Sequence, residues 1–117
     1  MVCPLETIIA EKYETIFRRN IATTRMIDFY DLYTLYKLKK DEISYEILKE
    51  AIERTSNKRG SQEIIKDYEE IIDDIKEDSY LRSLWEIYIS ENKYIGDLKF
   101  DKVVDVVITL SSRINEM

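Results

Sequence analysis

Apolar residues recur every three or four positions along most of the chain, a spacing that places them on one side of a helix. The pattern predicts a first helix over residues 5–19 and a second over residues 25–38. Thr24 is a candidate N-cap for the second helix. Because only residues 20–24 connect the two helices, we expect them to be antiparallel neighbours. The residues that form the first apolar face are Leu5, Ile8, Ile9, Tyr13, Ile16 and Phe17.

The same periodicity predicts four more helices in the rest of the chain. The clearest predicted loop is Ser56–Ser61, which combines small polar residues with a glycine. Gly96 is expected near the C-terminal cap of the fifth helix. The valines of the last segment would suit a strand, but their spacing favours a helix. The four predicted helices cover residues 47–52 (with Ser44 as a possible cap), 64–75, 79–89 and 100–110.

Composition supports one all-α domain, a single bundle of about six helices spanning residues 1–117. Of 117 residues, 44% are hydrophobic and 36% charged, which is typical of a globular protein, and the presence of only 2 Gly and 1 Pro favours uninterrupted helices. The lone Cys3 fits a reducing cytoplasm. No apolar run approaches the roughly 20 residues of a membrane span, and no signal peptide is recognisable. We therefore expect a cytoplasmic protein without membrane association.

Charge and residue types exclude several classes of function. The net charge is −6, and the acidic excess lies in residues 41–117, so general nucleic-acid binding is not expected. The absence of histidine excludes His-based acid–base catalysis, and no glycine-rich phosphate loop is present. Nine Tyr and Trp85 would suit an aromatic nucleic-acid platform, but their helical spacing favours core packing. The acidic run from Asp67 to Asp78 contains isoleucines and is expected to be the solvated side of a helix.

Lys12 interrupts the apolar face of the first helix. It follows Ile8 by four residues and precedes Ile16 by four, so it shares their side of the helix. Lysine is rarely buried unless it is paired. Either its stem packs on the core while the ammonium reaches water, or Lys12 is a cation positioned for an anionic group.

Asp28 and Asp31 lie three residues apart, on one side of the second predicted helix. Acids in a first turn are favoured by the helix dipole, and this alone would explain both. The functional alternative is a carboxylate pair that faces Lys12 across the helix hairpin. Arg18, Arg19 and Arg25 lie near the connection, where they are either solvated surface residues or candidates for anion binding.

Two segments together resemble the AbiEii/AbiGii-type nucleotidyltransferase toxin family. The family has an Ala-Glu-Lys helix followed by an arginine, and Pro4–Ile16 followed by Arg18-Arg19 matches it. The family's Arg-x-x-Asp-x-x-Asp helix is similar to Arg25–Tyr33. Leu84-Trp85-Glu86-x-Tyr88 also resembles its C-terminal helices. The resemblance covers nearly the whole chain.

The resemblance implies a polymerase-β-like nucleotidyltransferase that uses a nucleoside triphosphate and Mg²⁺. In the family, a Gly-Ser motif and an Asp-x-Asp pair hold metal and nucleotide, a helix lysine contacts phosphates and downstream aspartates complete the site. The positions that match the lysine and these aspartates are Lys12, Asp28 and Asp31, which are the candidate catalytic residues. Arg18, Arg19 and Arg25 are the candidate binding residues.

The chain departs from the family pattern in its missing metal-binding elements. No Gly-Ser element and no Asp-x-Asp pair precede Lys12, Ile27 replaces a basic residue that is common in the family, and Asn20 replaces a common glycine. Two-metal phosphoryl transfer needs such carboxylates. We therefore expect the C-terminal half of such a toxin, without its own metal site or cofactor, and catalytically silent alone.

On this interpretation, the chain acts by protein binding, with the nucleotidyltransferase half, an antitoxin or a targeted protein as its partner. One alternative is a small acidic interaction or inhibitor protein of a phage or mobile element that reuses the scaffold. A second alternative is an active nucleotidyltransferase.

Overall fold

The computed structural model describes residues 4–19 and 26–116, and of Pro4 the backbone only. Within these ranges the chain forms α-helices and short 3₁₀ turns without a strand, which confirms the all-α prediction. The candidate cap Thr24 lies outside the described residues. The helices are α1 (Pro4–Arg19), α2 (Met26–Lys39), α3 (Tyr45–Arg59), α4 (Gln62–Lys66), α5 (Tyr68–Glu77), α6 (Ser79–Glu91) and α7 (Phe100–Asn115), with 3₁₀ turns at Lys40–Glu42 and Lys93–Ile95.

Helix α1 lies at the centre of the packing, because it contacts α2, α3 and α4. Its residues Ile9, Ala10 and Phe17 are completely buried. Helix α7 closes the other side of the core against α2, α3 and α5. The two central helices are joined by a 2.7 Å hydrogen bond between the hydroxyls of Tyr13 and Ser111, both of which are buried.

The prediction of a loop at Ser56–Ser61 is wrong for most of its length, because α3 continues to Arg59. Ser56 follows Ile52 by four residues, so it stays on the inner side of the helix, where it is buried. The helix ends at Gly60, whose φ of 71° is left-handed and whose N–H donates to the carbonyl of Ser56. A glycine that follows a helix in this conformation is a common terminator. Polar composition therefore indicated a loop where the chain forms the last turn of a helix.

The predicted fourth helix is two helices, because the chain breaks between α4 and α5 at Asp67. The N–H of Asp67 donates to the carbonyl of Ile64 at 3.1 Å, which is the bond of a tighter turn. In α5 the residues Ile71, Ile72 and Ile75 are buried, while the acidic residues of the helix are exposed. The acidic run is thus the solvated side of a helix, as predicted.

Helices α6 and α7 confirm the remaining sequence predictions with one correction. Asp78 caps α6, because its Oδ1 accepts the N–H of Leu81 at 2.9 Å. Gly96, with φ 72°, follows the 3₁₀ turn after α6 and not α6 itself. The valine-rich last segment is helical, as its spacing predicted. Trp85 is fully buried and donates its indole N–H to the carbonyl of Leu98 at 2.9 Å.

Among the described residues, each helix is either too short or too polar to cross a membrane.

Candidate functional site

Lys12 lies at the boundary between the buried and the exposed side of α1. Ile9 and Ile16 on one side of it are buried, whereas Ile8, one turn earlier, is exposed. The Lys12 side chain retains 26% of its accessible surface. Its stem therefore packs along the core while the ammonium reaches the surface, so the position has features of both interpretations raised by the sequence.

The Lys12 ammonium contacts two carboxylates of α2. Its Nζ lies 2.8 Å from Oδ2 of Asp31 and 3.3 Å from Oδ1 of Asp28, and it donates a hydrogen bond to each. The prediction that a carboxylate pair faces Lys12 across the first two helices is confirmed. We call Lys12, Asp28 and Asp31 the Lys12 cluster.

The two aspartates of the Lys12 cluster differ in exposure. The Asp28 side chain is 5% exposed and the Asp31 side chain 36% exposed. Asp28 is thus a buried partner that fixes the position of the lysine, while Asp31 is the partner that solvent or a ligand can reach.

The environment of Lys12 keeps its side chain protonated. Burial lowers the pKa of this amine, but the hydrogen bonds and charges of Asp31 and Asp28 raise it by more, so the pKa lies above its ordinary value of 10.5. At neutral pH, Lys12 is a cation that can bind an anionic oxygen. It is not a general base.

The Lys12 cluster does not form a metal site by itself. One ammonium and two carboxylates leave a local charge of about −1, and both carboxylates already accept hydrogen bonds from Lys12. In the part of the chain that the structure describes, no three His, Cys, Asp or Glu residues are placed to hold a metal ion. On their own, Asp28 and Asp31 therefore do not complete a site for the Mg²⁺ that the sequence resemblance implies.

The three arginines proposed for anion binding have different positions. Arg18 donates its Nε to Oε2 of Glu14 at 3.0 Å, so it is engaged in an ion pair on its own helix. Arg19 is exposed at the end of α1. Arg25 lies outside the described residues. The structure therefore brings none of the described arginines into an ion pair with Asp28 or Asp31.

Sequence reasoning missed a second charged cluster, which is centred on Glu14. This side chain is completely buried. It accepts hydrogen bonds from Arg18, from Arg59 at 2.7 Å and from the hydroxyl of Ser61 at 2.8 Å. We call these four residues the Glu14 cluster. A signal was present, because Glu14 follows Ala10 by four residues and precedes Phe17 by three on the apolar side.

A second buried acid of α1 has a similar structural role. Glu6 is completely buried, and its Oε2 accepts the backbone N–H of Ser44 at 2.8 Å. Ser44 is the N-cap of α3, and its hydroxyl accepts the N–H of Ile47 at 3.5 Å. Glu6 thereby fixes the start of α3 against α1, and this contact also escaped the sequence analysis.

Three tyrosines lie next to the exposed end of the Lys12 cluster. The ring of Tyr30 lies 6.4 Å from that of Tyr88 and 6.0 Å from that of Tyr94. Burial, together with the neighbouring Tyr94 hydroxyl and the charge of Asp31, raises the pKa of Tyr88 to about 12. The Tyr88 hydroxyl is therefore neutral near pH 7. The three side chains extend the surface around Asp31 with aromatic rings.

Comparison with known proteins identifies the family. A family model described as nucleotidyl transferase AbiEii toxin of type IV toxin–antitoxin systems matches residues 1–106. The comparisons with curated proteins and with solved structures found no match. The matched region is nearly the entire chain and contains the whole Lys12 cluster. The chain therefore belongs to the AbiEii nucleotidyl transferase toxin family.

Proposed function

We propose that this chain supplies one wall of a nucleotide site in an AbiEii-type toxin, and that a nucleotidyltransferase unit supplies the metal-holding carboxylates. The observation that carries the proposal is the Lys12 ammonium, which is held 2.8 Å from Asp31 yet remains partly open to solvent. The ammonium is thus paired on one side, while its other side stays accessible to a ligand oxygen. The position of the cluster within the matched family region supports the same assignment.

In this proposal, Lys12 binds a phosphate oxygen of the nucleotide. Asp28 keeps the ammonium in place from the buried side. Asp31 is the partner whose ion pair with Lys12 breaks when the phosphate binds. Because the cluster carries a charge of about −1, a polyanion binds only when further positive charge comes with it. The nucleotidyltransferase unit, together with the metal that it holds, would bring that charge.

In this proposal, the chain transfers no nucleotide alone. Phosphoryl transfer of this kind depends on carboxylates that hold metal ions and align the reacting oxygens. The Lys12 cluster contributes a cation and two carboxylates that position it, and these carboxylates do not by themselves hold the metal ions. The partner in the cell would be the nucleotidyltransferase unit, with an antitoxin controlling the assembled toxin.

Radiolabelled nucleotide incorporation tests the proposed function. We expect no incorporation by the purified chain. Adding a nucleotidyltransferase unit with the Gly-Ser and Asp-x-Asp elements should restore it. Lys12→Ala should then lower the rate of the mixture at least about 100-fold, since the lost cation would stabilise transferring phosphate. Lys102→Ala, which removes an exposed lysine of α7, is the matched control. Incorporation by the chain alone that Lys12→Ala abolishes would contradict the proposal.

A second candidate function is that of an acidic interaction protein which inhibits another protein. Two exposed isoleucines favour it, because Ile8 lies one turn before Lys12 and Ile27 one turn before Asp31. Exposed apolar residues next to polar ones are found at protein interfaces, where an apolar centre is surrounded by a polar rim. The gene neighbourhood discriminates the two functions. An adjacent frame that encodes the Gly-Ser and Asp-x-Asp elements supports the nucleotide site, whereas a free-standing gene among phage genes supports the inhibitor.

A further inference from the structure

We propose that a groove along α2, next to the Lys12 cluster, binds the base of a mononucleotide. This inference rests on the proposed function, because it assigns the base to one end of a site whose other end holds the phosphates. The groove has a volume of about 290 Å³, and its walls include Tyr30, Tyr33, Lys37, Leu38 and Ile95. We call it the tyrosine groove.

Two residues that line the tyrosine groove share the side of α2 that carries Asp31. Asp31, Thr34 and Leu38 follow each other at intervals of three and four residues, so they lie on the same side of the helix. The rise of a helix places Leu38, which lines the groove on this side, about 10 Å along the axis from Asp31. This separation is comparable to the distance from a phosphate to the base in an extended nucleotide. A phosphate at Lys12 would therefore direct the base towards the groove.

The composition of the groove suits a flat, neutral ring. Tyr30 and Tyr33 provide aromatic surfaces, and base–aromatic stacking is a general mode of nucleotide binding that tolerates any base. The Nζ of Lys37 lies 5.7 Å from the centre of the Tyr33 ring, so a cation is present at the edge of the groove. Leu38 is 73% exposed, which leaves an apolar wall that a ligand would cover.

The size of the groove favours one base over a stretch of nucleic acid. Its volume of about 290 Å³ lies just below the range of about 300–1,000 Å³ for small-molecule pockets. The groove is lined by one lysine, Lys37, whereas proteins that bind a nucleic-acid backbone use several clustered cations. We therefore assign the groove to a mononucleotide.

Titration of the full chain with nucleosides, followed by NMR, tests this assignment. Adenosine, guanosine, cytidine and uridine carry no phosphate, so their binding does not depend on Lys12. We expect them to shift the resonances of Tyr33, Leu38 and Ile95. Tyr33→Leu should weaken the affinity about five-fold or more, the effect of losing one stacking surface. Tyr33→Phe retains a ring and should bind nearly as the unchanged chain does.

The control variant is Tyr80→Leu, which removes an exposed tyrosine of α6 outside the residues that line the groove, and it should leave nucleoside affinity unchanged. Circular dichroism of every variant verifies folding. Unshifted groove resonances at millimolar nucleoside, or equal affinities for Tyr33→Leu and the unchanged chain, would overturn the inference. A single-stranded hexanucleotide that binds far more tightly than a mononucleotide would overturn the assignment to a mononucleotide.

The incorporation assay separates this inference from the proposed function. If nucleosides bind the groove but Lys12→Ala leaves incorporation unchanged, the assignment of the groove is supported and the proposed role of Lys12 is wrong. If Lys12→Ala abolishes incorporation but nucleosides leave the groove resonances unshifted, the proposed function stands and the groove assignment fails.

Discussion

Two charged clusters lie two residues apart on α1, and they have opposite designs. The Glu14 cluster surrounds one completely buried carboxylate with two guanidinium groups and a hydroxyl. The Lys12 cluster surrounds one partly exposed ammonium with two carboxylates. The first has a local charge of about +1 and a sealed centre, and the second has about −1 and an accessible centre. The comparison shows how one helix carries both a structural and a candidate functional ion network.

Helix geometry explains why the two clusters do not interfere. Two residues correspond to a rotation of about 200°. Lys12 therefore faces α2, while Glu14 faces the end of α3 and the start of α4. Removing one partner of a buried ion pair lowers the free energy of unfolding strongly, because the remaining charge is then buried without compensation. Exposed ion pairs contribute little to that free energy. The two clusters should thus respond very differently to substitution.

The largest effect is expected from Glu14→Gln. The amide retains the size of the side chain but loses the charge that Arg18, Arg59 and Ser61 all contact. Because the arginines are partly exposed and can regain water, we expect a loss of about 2–3 kcal/mol in the free energy of unfolding. Urea denaturation measures it, with Glu11→Gln on the exposed side of α1 as control. A loss below about 1 kcal/mol would show that the Glu14 cluster is not a structural anchor.

A smaller effect on stability is expected from Lys12→Met. Methionine retains the apolar stem that packs on the core, and Asp31 can be solvated when the ammonium is gone. The buried Asp28 loses one hydrogen-bond donor, so we expect a loss of about 1–2 kcal/mol in the free energy of unfolding, still below that of Glu14→Gln. The same urea experiment measures this change. A loss as large as that of Glu14→Gln would erase the distinction between the two clusters.

The smallest effect is expected at alkaline pH, where the contribution of Lys12 to the free energy of unfolding decreases. Folding raises the pKa of Lys12 above its ordinary value of 10.5. Its stabilising contribution is therefore complete below the pKa of the unfolded chain and is lost as the pH rises through the folded value. The difference in unfolding free energy between the unchanged chain and Lys12→Met should shrink by a few tenths of a kcal/mol above about pH 10. A constant or growing difference would contradict the ion pairing.

The sequence predicted the Lys12 cluster because its signal is local. A lysine at an apolar position of α1 stands out, and Asp28 and Asp31 follow after only one short connection. The Glu14 cluster was missed because Arg59 and Ser61 come from the segment whose polar composition indicated a loop. Only the packing of α3 against α1 makes that segment helical and brings Arg59 to Glu14.

The division between α4 and α5 was unpredictable for a related reason. The isoleucine spacing from Ile64 to Ile75 is continuous, so it indicates a single helix. In the structure, α4 packs on α1 and α3, whereas α5 packs on α7. The chain must turn at Asp67 to change partners. Periodicity reports which side of a helix is apolar, but it does not report which neighbour covers that side.

The hydrogen bond between Tyr13 and Ser111 has a consequence for the order in which the protein can be made and folded. It joins residues 98 positions apart in the sequence. On the ribosome, α1 emerges before α7, so the surfaces of α2, α3 and α5 that α7 covers stay open until the last helix is made. Contacts between distant segments also slow the search for the native state. Nascent chains that end before Phe100 should consequently remain sensitive to proteases and available to chaperones until the last helix has been added.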